Sequence, residues 1–232
     1  IFKPNCYFEL TDIPNVIFKS RVLMRMFAYL CSKTLILSTS PAYLELLKLN
    51  GNLIWHNVPS LNFDATREVD FTASNKRVIY AGYLRGIKTL VSEYQWLYPY
   101  VDFFGKRNIL NSSVEILGDN YFGEYFFDHL DKIYNNYIFG YVSDFHGPNS
   151  GYNLTNRIYE VIFNGCIPVH VKRDAVSNYF NELGIFYISS KEQFKYARTM
   201  DSYRLKTLIN SNHLILRESV LRDFSKLNLQ LT

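Results

Sequence analysis

The stretch N-R-I-Y-E-V-I-F-N-G-C-I-P-V, Asn156 to Val169, decides the fold. Ile158, Val161, Ile162 and Phe163 recur at helical spacing around one carboxylate, Glu160. This predicts a helix from about Leu154 to Asn164. A short apolar strand from Cys166 to Val171 follows at once. A helix that feeds directly into such a strand is half of a β-α-β unit.

The same rhythm extends outward in both directions. Upstream, strands are expected at Arg77 to Ala81, Val101 to Phe104, Val114 to Leu117 and Tyr137 to Val142. Helices are expected from about Gly86 to Leu97 and Glu124 to Asn135. Downstream come a helix near Ala175 to Asn181, a strand at Ile185 to Ile188 and helices towards the C-terminus. Nearer the start, a charged amphipathic helix is expected from about Asn15 to Lys33, then a strand at Thr34 to Ser38. A Pro41-initiated helix and a strand at Leu53 to Trp55 follow. Asn57 to Asn75 is polar and poorly periodic, as a linker is. The alternation implies an α/β, Rossmann-like parallel sheet with helices on both faces. Ligands in this architecture bind beyond the carboxyl ends of the strands.

Composition agrees with a folded chain. Of 232 residues, 48% are hydrophobic and 20% charged, which excludes a disordered or fibrous protein. The net charge of +4 is well short of a dedicated nucleic-acid binder and suits an anionic ligand or membrane surface. The three cysteines form no CxxC pair, so a reducing, cytoplasmic setting is expected. No HExxH or similar ligand spacing is present, so no metal site is expected. G-x-S-x-G, Walker and GxGxxG motifs are absent too, leaving hydrolase, P-loop and dehydrogenase readings without support.

Four segments can carry chemistry. In A-G-Y-L-R-G-I-K, Gly82 and Gly86 permit close backbone approach, and Arg85 and Lys88 can pair with phosphate. A plain turn with two solvated cations is the alternative. S-D-F-H-G-P-N-S-G-Y-N-L-T precedes a helix, where exposed N–H groups hold anions. Ser150, Gly151, Asn153 and Thr155 suit a diphosphate there, and ordinary capping by Asn153 or Thr155 suits the same residues. Glu160 needs a partner or a cleft, such as the hydroxyls of a ribose. An exposed helix face is the commoner place for such a residue. Finally, G-D-N-Y-F-G-E-Y, Gly118 to Tyr125, offers aromatic rings to a base, or to the core.

Taken in order, these segments resemble a glycosyltransferase of the GT-B class. S-T-S-P-A-Y-L-E-L-L and L-I-W-H-N-V-P resemble the end of its N-terminal domain and the crossing into the second. V-I-Y-A-G-Y-L-R-G-I-K-T-L resembles its first C-terminal-domain strand and turn. V-E-I-L-G-D-N-Y-F-G-E-Y resembles the strand and loop beside the base, and the Asn156 to Val169 stretch its most recognisable segment. The resemblance covers Thr34 to Ile188.

It implies sugar transfer from a nucleotide-sugar, as substrate rather than cofactor, to a polysaccharide or glycolipid acceptor, without a metal. Arg85 and Lys88 would neutralise the leaving diphosphate. Ser150, Gly151, Asn153 and Thr155 would hold it near Gly82. Glu160 would bind the ribose, and Tyr121 would border the base. Residues 1–58 would end an acceptor-side domain and 59–232 would form the donor-binding domain. Ile1 in place of a start Met leads to the expectation of a longer enzyme with an incomplete N-terminal domain here.

The pattern also departs from the family. Many retaining members carry Glu where Tyr152 stands, eight positions before Glu160. N-L-T-N-R, Asn153 to Arg157, resembles fucosyltransferase segments, which implies an inverting route. The basic helix Lys19 to Lys33 suits peripheral membrane contact or packing within its own domain. A non-catalytic nucleotide-sugar-binding module and a nucleotide-sugar epimerase are the competing functions.

Overall fold

The computed structural model describes residues 7–10, 35–38, 53–55, 73–82, 90–91, 94–105, 117–123, 130–142, 157–173 and 175–231. The chain divides into two compact units. One comprises Ile1–Asn62, His146–Leu154 and Ser219–Thr232, and the other Phe63–Phe145 and Thr155–Glu218. In the first, β1 (Tyr7–Leu10), β2 (Leu35–Ser38) and β3 (Leu53–Trp55) form a parallel sheet in the order β1-β2-β3.

The second unit carries β4 (Asn75–Ala81), β5 (Val101–Phe104), β6 (Tyr121–Gly123), β7 (Tyr137–Tyr141) and β8 (Ile167–Val169). These form a five-stranded parallel sheet in the order β6-β5-β4-β7-β8. The described helices are α1 (Leu130–Tyr134), α2 (Arg157–Phe163), α3 (Ala175–Leu183), α4 (Lys191–Thr199) and α5 (Ser202–Leu231).

The central strands are apolar where both their faces are covered. Val78 to Ala81 and all of β7 are buried. On one face Tyr80 packs against Phe103 and Tyr141, and Phe139 meets Phe194 of α4 with ring centroids 5.5 Å apart. The next residue, Gly140, points to the opposite face. A Cβ there would lie 2.8 Å from Cγ1 of Val161, so α2 sits directly on bare backbone. Buried Asn212 of α5 exchanges two hydrogen bonds with the backbone of Phe186, at 2.8 and 2.7 Å.

The expected α/β parallel fold is present, with local differences. β1 has no counterpart in the sequence reading, because four residues including Glu9 show too little periodicity. Leu117, expected to end a strand, is helical and leads into a 3-10 turn at Gly118–Asn120. The strand on the outer side of β5 is Tyr121–Gly123, where a loop was expected. Leu117 is buried either way, so its hydrophobicity does not distinguish the two geometries. The helix expected to reach Leu97 gives way to a turn at 95–97 and a 3-10 turn at Tyr98–Tyr100, with Pro99 inside it. The expected strand Ile185 to Ile188 reduces to one bridge, between Ile188 and Val169. The helices expected at Asn15 to Lys33 and from Pro41 lie outside the described residues.

Candidate functional site

The strand order creates a switch point. From β4 the chain moves outward through β5 to β6, then crosses back to β7 on the other side of β4. The connections after β4 and β7 therefore leave in opposite directions, and such a point is where parallel sheets receive ligands.

Hydrogen bonds extend the sheet just past its strands. Gly82 N–H donates to Phe104 O at 2.8 Å, and Val142 N–H to Val169 O at 3.0 Å. His170 follows β8, and its buried Nδ1 is 2.8 Å from the carbonyl of Val142.

One polar group reaches the switch point from α2. Arg157 and Glu160 stand three residues apart, the spacing that brings helical side chains together. The Nη1 of Arg157 donates to Oε2 of Glu160. The same Nη1 lies 3.4 Å from the Tyr134 hydroxyl oxygen. Burial pushes the Tyr134 phenol well above its ordinary range, although the Arg157 charge acts the other way. Tyr134 therefore stays neutral, and its oxygen accepts. Glu160 is only 7% exposed and the Arg157 side chain 16%. The far end of Arg157 rests against Gly82: a Cβ added there would collide with Nη2 and stand 3.2 Å from Cζ. Glycine at position 82 thus makes room for a guanidinium at the mouth of β4.

Solved structures share the fold. A mutant of S. aureus TarM, crystallised with fondaparinux, alpha-GlcNAc-glycerol and UDP, aligns at TM-score 0.50 and 11% identity over 90% of this chain and 46% of that one. The chain has the GT-B glycosyltransferase fold. It spans about half the length of the structures it matches. A mutant of Thermobaculum terrenum O-GlcNAc transferase aligns at TM-score 0.46 and 13% identity, over 83% of this chain and 42% of that one. The glycosyltransferase SnogD from Streptomyces nogalater aligns at 0.39 and 14%, over 86% and 58%. No protein-family model and no curated protein matches the sequence.

Within this GT-B fold, the structure brings Gly82 and Glu160 to one corner through Arg157. Glu160 is a buried ion-pair partner, not the exposed face residue that its type favours. Tyr121 lies on β6, half-buried, and its hydroxyl donates to Gly105 O at 3.0 Å. Its neighbour Phe122 is 55% exposed and stacks on Phe104 at 5.6 Å, so it is a surface ring and not a core one. Arg85, Lys88, Ser150, Gly151, Asn153 and Thr155 lie outside the described residues.

Sequence reasoning passed over Arg157 and Tyr134 as site residues. The Arg-x-x-Glu spacing was the available signal for the first. Among the described residues, no three His, Cys, Asp or Glu side chains form a metal-holding group. No helix among them is long and apolar enough to cross a membrane.

Proposed function

We propose that this chain binds a nucleotide-sugar at the carboxyl ends of β4 and β7 and serves sugar transfer to a glycan or glycolipid acceptor. The observation that carries this reading is the buried Arg157–Glu160 pair seated against Gly82 at the switch point. The UDP and sugar compounds in the TarM complex support a nucleoside diphosphate and a glycan as the first ligands to try.

In this reading the unit with the five-stranded sheet is the donor-binding half. Arg85 and Lys88, which follow β4 in the sequence, neutralise the departing diphosphate. Ser150, Gly151, Asn153 and Thr155, which precede α2 in the sequence, are assigned to the same group. Glu160 lies on the ribose side and Tyr121 near the base. Transfer breaks the bond between the anomeric carbon and a phosphate oxygen. The acceptor oxygen forms the new bond and gives up its proton. Negative charge grows on the leaving diphosphate, and fixed cations at that point lower the barrier without a metal. We place the chain in the cytoplasm, peripheral to a membrane where a glycolipid acceptor would be found.

Calorimetric titration with UDP, GDP and CMP tests the core of the proposal. Binding of one of them, weakened in Arg85→Ala, is expected. No binding of any, or no loss in that variant, would sink it.

A further inference from the structure

Helices α4 and α5 carry a solvent face that the donor site does not use. Helix α4 turns Phe194 and Ala197 inward, and α5 turns in Leu205, Ile209 and Leu216. At helical spacing the opposite stripes place Lys195, Tyr196 and Thr199 outward on α4, and Tyr203, Thr207 and Leu214 outward on α5. Tyr203 is 81% exposed, Tyr196 59% and Leu214 53%. A single exposed ring is ordinary on a protein surface. Here three large apolar side chains line the outward stripes of consecutive helices, with only Met200 and Asp201 between the two.

The threonines make this face more apolar still. Thr199 Oγ1 donates to Tyr196 O at 2.7 Å, and Thr207 Oγ1 to Tyr203 O at 2.9 Å. Each hydroxyl hydrogen is thus satisfied within its own helix, which lowers the cost of taking it out of water. Charge is concentrated on the same elbow. Five cations and two carboxylates lie between Lys191 and Lys206, an excess of three in a chain whose whole excess is four. Of the carboxylates, Asp201 caps α5 by accepting from Arg204 N–H at 2.8 Å, and Glu192 is exposed. Arg198 lies over the Tyr100 ring. Lys191, Lys195 and Lys206 form no ion pair among the described residues.

Resting on the peripheral placement proposed above, we infer that the α4–α5 elbow is the surface that docks on an anionic lipid bilayer. Tyrosine bodies and Leu214 enter the boundary between headgroups and acyl chains, and the lysines meet lipid phosphates. Against a second copy, the same face would set like charge on like. Lys76 Nζ donates to Arg198 O and Met200 O at 2.8 and 2.9 Å, which fastens the elbow to the start of β4. The proposed donor site is at the other end of that strand, so lipid contact leaves it open.

The test is flotation of the full chain with vesicles of phosphatidylcholine, alone or mixed with phosphatidylglycerol. Wild type is expected on the mixed vesicles and not on the neutral ones, more weakly as salt rises. Lys195→Gln/Lys206→Gln should weaken binding more than tenfold, because each cation at the surface is worth about fivefold. Tyr196→Ser/Tyr203→Ser should weaken it about tenfold through lost apolar burial. Lys19→Gln/Arg25→Gln, in the basic stretch nearer the start, should bind as wild type. The elbow side chains are exposed, so melting temperature and UDP affinity should not move in their variants.

Undiminished vesicle binding in both elbow variants, or its loss in Lys19→Gln/Arg25→Gln instead, overturns the inference and leaves the peripheral placement standing. A lower light-scattering mass in those undiminished variants would make a second copy the occupant. Equal binding to neutral and mixed vesicles overturns the anionic partner. Failure of wild type to bind either vesicle overturns the placement, and this inference with it. UDP affinity, read on the same samples, tells a failed donor site apart from a failed docking surface.

Discussion

Arg77–Asp102 and Arg157–Glu160, two of the arginine–carboxylate pairs among the described residues of one unit, differ in what surrounds them. Arg77 Nε donates to Asp102 Oδ1 at 2.6 Å, and the Tyr137 hydroxyl donates to Oδ2 at 2.9 Å. Arg77 also reaches Pro99 O and Asn120 Oδ1, and Asn120 in turn donates to Tyr98 O. These groups sit near the starts of β4, β5 and β7 and tie the three strands together. The second pair, Arg157–Glu160, joins residues of a single helix, with Tyr134 of α1 beside it. It borders Gly82 beyond the end of β4. The same chemistry thus ties strands at one end of the sheet and, in the proposed function, borders the ligand at the other. The strand-end rule for parallel sheets anticipates this division.

The largest effect separating the two pairs should come from Asp102→Ala. It strands Arg77 and the Tyr137 hydroxyl and should cost about 3 kcal/mol, the low end for a broken buried pair, because Arg77 is 36% exposed. Urea unfolding measures this, with nucleotide affinity per folded molecule unchanged. An unaltered midpoint would dissolve the contrast. Gly140→Ala should follow, at about 2 kcal/mol from overpacking against Val161. Because α2 carries Arg157, this variant should also weaken nucleotide binding, which ties the core to the site.

Gly82→Ala should act the other way. The added methyl displaces only the flexible end of Arg157, so the melting temperature should barely move. Diphosphate affinity should fall about tenfold, or about 1.4 kcal/mol. A large loss of stability with affinity intact would reverse the assignment of the two ends.

The smallest effect concerns pH. Burial, followed by the bond to Asp102, raises the Tyr137 phenol above its ordinary range. Its contribution is therefore complete below about pH 10, the ordinary phenol value. It fades as pH rises towards the folded-state value, because only the unfolded chain ionises readily there. Tyr137→Phe should cost about 1 kcal/mol at neutral pH and lose less stability than wild type above about pH 10. Parallel alkaline unfolding curves for the two proteins would count against this role.

The parallel architecture was legible in the sequence because doubly covered strands such as V-I-Y-A and C-I-P-V are continuous apolar runs. β6 was harder to read. V-E-I-L has the stronger strand composition, yet its Leu117 turns into the core just before the pairing segment begins. At the site, Gly82 and Glu160 stood out as a glycine after a strand and a carboxylate among aliphatic residues. Their connection did not. It depends on how high α2 rides over the sheet, to which the fit of Val161 onto Gly140 contributes. Arg157 looked like one more charged residue at a helix start until that fit placed its tip.

The contact at Gly140 also bears on transplanting the site. Val161 lies four residues beyond Arg157, about one helical turn. Seating Val161 on bare backbone fixes how far the arginine projects past β4. A designer moving this corner to another parallel sheet would therefore have to carry both glycines, one beneath the helix and one at the strand mouth. Copying Arg157 and Glu160 alone would leave the guanidinium without a defined height, however well the loops were reproduced.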